Sequence, residues 1–141
     1  MIKVCKFGGT SMADANAIRQ VKNIIEQDDA RSFIVVSAPG KRFKDDIKIT
    51  DMLYRCYDEV MEFGNCKKSF DIIRARFVEI VKDLNLSLDI NAVLDKTEQE
   101  IVQNKSADFA ASRGEYLSAI VVADFLGYEF VDAAEVVRFD S

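Results

Sequence analysis

Three short clusters hold the residue types that could bind an anion or move a charged group. The first is Lys6-Phe7-Gly8-Gly9-Thr10-Ser11. Its paired glycines carry no Cβ, so backbone amides there can come close to a phosphate and point at its oxygens. Lys6 stands just before them, and an ammonium at such a place can neutralise charge on a phosphoryl group in transfer. The spacing excludes a P-loop, which needs GxxxxGK, and a dinucleotide fingerprint, which needs GxGxxG. The same residues also read as a tight turn, a capped helix and a solvated lysine, and the spacing alone leaves both readings open.

The second cluster is Ser37-Ala38-Pro39-Gly40, with Thr50 beyond it. Its hydroxyls suit a small polar substrate, or else mark a turn followed by a helix N-cap at Thr50. The third is Ser112-Arg113-Gly114-Glu115. A glycine within a helical stretch costs about 1 kcal/mol relative to alanine, which points to close backbone approach there. Glu115 could pair with a substrate amine, although Ser-x-x-Glu is also the pattern of a capping box. The chain contains no histidine, which excludes Ser-His and Cys-His nucleophiles and histidine-ligated metals.

The elements that must position these clusters follow from periodicity. Residues 2–7 read as a strand ending at the glycine pair, with Lys6 on the same face as Ile2 and Val4. Ser11 reads as a helix N-cap with Asp14 as its partner, and Ile18, Val21 and Ile25 follow at helical spacing. Phe33-Ile34-Val35-Val36 is a continuous apolar run, as in a parallel strand buried on both faces. A helix capped by Thr50 carries Leu53, Cys56, Tyr57, Val60 and Met61 and stops at Gly64. The next has Phe70, Ile73, Phe77, Ile80 and Leu84 on one stripe. A weaker helix spans about 91–103, and another starts at Ser106 and ends at Gly127. Tyr128-Glu129-Phe130-Val131 reads as a return to strand. The order is α/β, with a helical insertion between strands 2 and 3. Strands end where open α/β sheets bind ligands, so the first two clusters should be neighbours. The charged run 41–46 reads as solvated loop, or as a lid between those two clusters.

Composition bounds the remaining choices. The 141 residues, 49% hydrophobic and 30% charged, suit one globular core. A net charge of −5 argues against a nucleic-acid surface, which needs clustered Lys and Arg. No run of 18 apolar residues is present, so no membrane-spanning helix is expected. Three cysteines without CxxC spacing predict free thiols and a cytoplasmic setting. A sheet of three or four strands is thin, which leads to the expectation that the natural protein continues.

Together, KFGGTS at 6–11, SAPG at 37–40, ITD at 49–51, SRGE at 112–115 and FVDA at 130–133 resemble aspartate kinases of the amino-acid kinase superfamily. The order and approximate separation match, and Thr10-Ser11 with Gly114-Glu115 are the specific parts. Nearly the whole chain is covered, against about the first third of a typical member. The resemblance implies a three-layer αβα fold with a mainly parallel sheet, of which residues 1–141 form the N-terminal, substrate-side lobe. It implies transfer of the γ-phosphate of ATP, with Mg²⁺, onto the β-carboxylate of L-aspartate. That reaction opens lysine, threonine and methionine biosynthesis, in an enzyme expected to be a homo-oligomer.

By the same resemblance, Lys6 would stabilise the phosphoryl group in flight. Gly8 and Gly9 would contact ATP phosphates, with Thr10 and Ser11 nearby. Ser37 and Thr50 would line the aspartate site, and Glu115 would hold the α-amino group. The family's Arg-Gly-Gly-Ser-Asp stretch, adenosine pocket and ACT domains find no counterpart in these residues, so the chain alone is expected to be inactive. Three other readings remain at this point: a stand-alone binding module of the same fold, a related kinase acting on glutamate, N-acetylglutamate or carbamate, and an α/β domain whose Gly-Gly turn is only structural.

Overall fold

Alternating burial along residues 4–7 marks the first strand. Cys5 and Phe7 turn inward while Lys3, Val4 and Lys6 are exposed. The computed structural model describes residues 3–28 and 31–131. Ile2 and the Asp132-Ala133 part of the FVDA match lie outside them. Strand β1 (Lys3–Phe7) is followed by a 3-10 turn (Gly9–Met12), helix α1 (Ala15–Glu26) and strand β2 (Arg31–Val36). Helices α2 (Ile49–Phe63), α3 (Lys67–Asp83), α4 (Ile90–Asn104) and α5 (Ala107–Leu126) complete the described order.

The two strands run parallel, with Cys5 opposite Ile34, Lys6 opposite Val35 and Phe7 opposite Val36. Because successive side chains alternate faces, Val36 is buried on the helical side while Val4, Phe33 and Val35 stay exposed on the other. The α/β class and the β-α-β start agree with the sequence. The expectation that the apolar run is buried on both faces does not hold among the described residues, where helices cover one side.

The helix stripes form one core. Leu53 and Cys56 of α2, Phe70 and Ile73 of α3, Leu94 of α4 and Leu117 of α5 are fully buried. Each such large apolar side chain contributes about 1.5–3 kcal/mol relative to exposure. Gly64 and Gly127 end α2 and α5 in the left-handed region, at φ 80° and 73°, as expected for C-terminal glycines. Ser106 caps α5, its hydroxyl accepting from Phe109 N–H. All three cysteines are free.

Four local expectations are corrected. Asp14, not Ser11, caps α1, its carboxylate accepting from Ala17 N–H at 2.9 Å. Met12 and Ala13 are buried, and the 3-10 turn that buries them delays the helix. Thr50 lies inside the first turn of α2, whose N-cap is Lys48. Ile49 is already buried there, and its N–H donates to Pro39 O. Met61 is exposed rather than part of the α2 core face. Tyr128–Val131 form no strand: Tyr128 N–H donates to Ala123 O at 2.9 Å, closing the end of α5 as a Schellman-type bond does.

Candidate functional site

Gly9 and Gly40 bring the two strand-end turns into backbone contact. Gly40 N–H donates to Gly9 O at 2.8 Å, and Ser37 N–H donates to Phe7 O at 3.0 Å. A Cβ on Gly40 would stand 2.8 Å from the Gly9 carbonyl carbon, and one on Gly9 would stand 3.2 Å from Ala38 O. Both glycines are therefore used in packing one turn on the other. Gly8 differs, because a Cβ there would meet nothing within 4 Å. Of the two glycines expected to approach a phosphate, Gly8 is the one with open space around it.

The third cluster reaches the same place through Gly114. Its Cβ position lies 2.5 Å from Ala38 Cβ and 3.2 Å from Leu53 Cδ1, so α5 rests directly on the second turn. Ser112 is well inside α5 and its hydroxyl donates back to Phe109 O at 2.6 Å. The capping-box reading of Ser112 and Glu115 therefore falls away. Glu115, the residue after the contact, is exposed and faces a cavity.

That cavity has a volume of about 420 Å³ and is lined by Gly9, Thr10, Ser37, Ala38, Pro39, Gly40, Lys41, Lys48, Thr50 and Glu115. Five expected site residues thus meet on one cleft: Gly9, Thr10, Ser37, Thr50 and Glu115. Gly8, Ser11 and Lys6 do not line it. Lys6 is exposed, with its Cα paired to that of Val35, two residues before Ser37. A second cavity of about 470 Å³, mostly apolar, lies between β2 and α5 and holds none of these residues.

Sequence reasoning missed Lys41 and Lys48. Both lysines line the cleft, where Glu115 is the one carboxylate among the described lining residues, and Lys41 Nζ also donates to Lys44 O at 3.5 Å. This mixed charge favours a ligand carrying both anionic and cationic groups. Lys41 sat in a charged run that reads as solvated loop, and Lys48 preceded the helix expected to begin at Thr50. The contact between Ile49 N–H and Pro39 O, at 3.2 Å, helps fold that segment onto the cleft.

Nor is the charged run loose. Arg42 donates to Asp46 through Nε at 2.7 Å, through Nη2 at 3.0 Å and through its backbone N–H at 2.9 Å. The Arg42 hydrogen bond holds the Asp46 carboxyl well below the usual carboxylate range, against the opposing effect of burial. Among the described residues no group of His, Cys, Asp and Glu is arranged to hold a metal ion, and no helix is long and apolar enough to cross a membrane.

Comparison with known proteins shows the family and the fold. The amino acid kinase family model matches residues 1–140. The chain is 30% identical to Aspartokinase 3 of Bacillus subtilis over 96% of its own length and 31% of that protein's. It is 31% identical to the aspartokinase of Chlamydia muridarum over 98% of its length and 31% of that relative's. The crystal structure of Clostridium acetobutylicum aspartate kinase superposes with a TM-score of 0.93 at 47% identity, covering 99% of this chain and 32% of that one. Escherichia coli aspartokinase III, in complex with lysine and aspartate, superposes at 0.69 with 25% identity over 89% of this chain and 29% of its own. The chain thus spans about a third of the length of the relatives it matches, and it belongs to the amino acid kinase family.

Proposed function

We propose that the protein carrying this chain transfers the γ-phosphoryl group of ATP to the β-carboxylate of L-aspartate, and that these residues supply the acceptor side of the cleft. The observation that carries the reading is the meeting of Glu115 with Ser37, Thr50, Lys41 and Lys48 on one cavity. A carboxylate for an ammonium, and hydroxyls and lysines for carboxylates, match a zwitterionic amino acid with a second acid group. The aspartokinases among its relatives support the same substrate.

In this reading Glu115 receives the α-amino group, and Ser37 and Thr50 hydrogen-bond the substrate carboxylates. The open backbone at Gly8, with Thr10 and Ser11 beyond it, receives phosphate oxygens. Lys6 approaches the γ-phosphoryl from the end of β1. An ionised carboxylate attacks phosphorus in line without needing a general base, so the work of the site is positioning and charge neutralisation. Among the described residues no group of three or more His, Cys, Asp and Glu could hold a metal ion, so the Mg²⁺ that accompanies ATP would be carried largely by the phosphates themselves.

A substrate panel on the longer protein tests this. Aspartate should support ATP turnover, while glutamate, N-acetylglutamate and carbamate support far less; a preference for any of those three overturns the assignment. The 141-residue chain alone should show no turnover, because the nucleotide-binding lobe lies in the remaining two thirds of such enzymes.

A further inference from the structure

Arg76 occupies a place in α3 where the stripe calls for an apolar residue. Ile73, Phe77 and Ile80 around it are buried, and Arg76 itself is only 5% exposed. Burying a guanidinium is costly unless its donors are served, and here backbone carbonyls serve them. Nη2 donates to Gly40 O at 2.8 Å and to Ala13 O at 2.9 Å. Nη1 donates to Ile47 O at 3.2 Å and lies 3.5 Å from Asp46 Oδ2. Among the described residues Nε has no hydrogen-bond partner.

The accepting carbonyls are the informative part. Gly40 and Ile47 immediately precede Lys41 and Lys48, and both lysines line the cleft. Ala13 follows the 3-10 turn that carries Gly9 and Thr10. One planar group therefore closes the 40–47 loop at both ends and ties it to the glycine turn. A fork of five fixed donors can do this, whereas an ammonium cannot meet the same carbonyls at once.

We propose that Arg76 is a positioning residue for the acceptor cleft: from behind, it fixes the backbone from which Lys41, Lys48 and Thr50 face Glu115. The proposal rests on the kinase reading for what the cleft binds, but not for the tethering itself. Its effect falls on substrate affinity, because the groups it holds line the cleft and Lys6 is not among them.

The test compares Arg76→Met, Arg76→Lys and Phe77→Leu in the protein that carries this chain. Steady-state kinetics and amide hydrogen exchange are read on each. Arg76→Met should raise the aspartate KM about tenfold or more with a much smaller change in kcat. It should also speed exchange selectively at residues 40–49. Arg76→Lys keeps the charge and should fall between Arg76→Met and the unsubstituted protein. Phe77→Leu loosens the same helix and should leave both the aspartate KM and the loop's exchange near their original values.

An aspartate KM in Arg76→Met within about twofold of the original, or an equal rise in Phe77→Leu, overturns the proposal. Should Arg76→Met fail to fold, the same comparison is made with Arg76→Lys, and an unchanged KM there overturns it as well. If the unsubstituted protein shows no aspartate-dependent turnover, the kinase reading fails and exchange decides the tethering. Acceleration confined to 40–49 then supports it, and acceleration spread along α3 overturns it.

Discussion

Gly114 of α5 lies so close to Ala38 that a Cβ on it would stand 2.5 Å from the alanine's own Cβ. Alanine is the better helix former by about 1 kcal/mol, so helix propensity alone predicts that Gly114→Ala stabilises. The contact predicts the reverse. The added methyl must push α5 away from the second turn, with Leu53 Cδ1 blocking the other direction at 3.2 Å. Overpacking of this kind costs about 1–3 kcal/mol. Chemical denaturation should show Gly114→Ala less stable than the unsubstituted chain, and equal or greater stability would show that the turn yields freely.

The glycines of the two strand-end turns can be separated by the same reasoning. Gly40→Ala places a methyl 2.8 Å from the Gly9 carbonyl carbon, which forces two backbones apart and should destabilise by more than about 1 kcal/mol. Gly8→Ala meets nothing within 4 Å and should change stability by less than about 0.5 kcal/mol. If phosphates approach there, Gly8→Ala should still weaken nucleotide binding, which calorimetry with ATP would detect. An unchanged affinity would make Gly8 a plain turn residue.

These contacts mark how far the sequence could be read. The stripes Ile18-Val21-Ile25 and Phe70-Ile73-Phe77-Ile80 predicted their helices because burial recurs at the helical period, and all seven are buried. Gly114 was legible as a close approach because a helix-interior glycine has a local cost to explain. Its partner, Ala38, lies 76 positions earlier and leaves no local trace. Arg76 was invisible for a related reason: an arginine between apolar residues reads as a solvated face unless the carbonyls of Ala13, Gly40 and Ile47 are known to surround it. The first-turn assignments at Ser11 and Thr50 failed because Met12, Ala13 and Ile49 are buried by distant segments, and tertiary packing overrode the capping pattern.

The clasp between Arg42 and Asp46 carries a pH dependence of definite sign. The folded carboxyl gives up its proton more readily than the unfolded one, whose ordinary value is 3.8. The folded form therefore binds fewer protons in acid, and the clasp contributes stability above that value which is lost as the pH falls below it. Asp46→Asn should remove this part of the acid dependence. It should also lower stability at neutral pH, because it leaves the Arg42 and Arg76 charges side by side. Thermal melts of both forms from about pH 5 down to about pH 2 check it, since the contribution is lost between the ordinary carboxylate value and the lower folded one. Parallel curves for the two forms would show that Asp46 does not report on the loop.

Lys6 and Glu115 should separate rate from affinity. Glu115 is exposed and lines the cleft, so Glu115→Gln should fold normally and, if its charge meets the amine as proposed, raise the aspartate KM. Lys6 lies off that lining, beside the end of β2. In the proposed reaction it would meet charge that develops on the phosphoryl group rather than charge already present on the amino acid. Such an interaction grows toward the transition state, so Lys6→Ala should lower kcat by about a hundredfold or more while the aspartate KM changes little. Steady-state kinetics on the longer protein, with aspartate and ATP varied in turn, distinguishes the two. A large KM effect from Lys6→Ala, or a kcat effect alone from Glu115→Gln, would reverse the roles given to these residues.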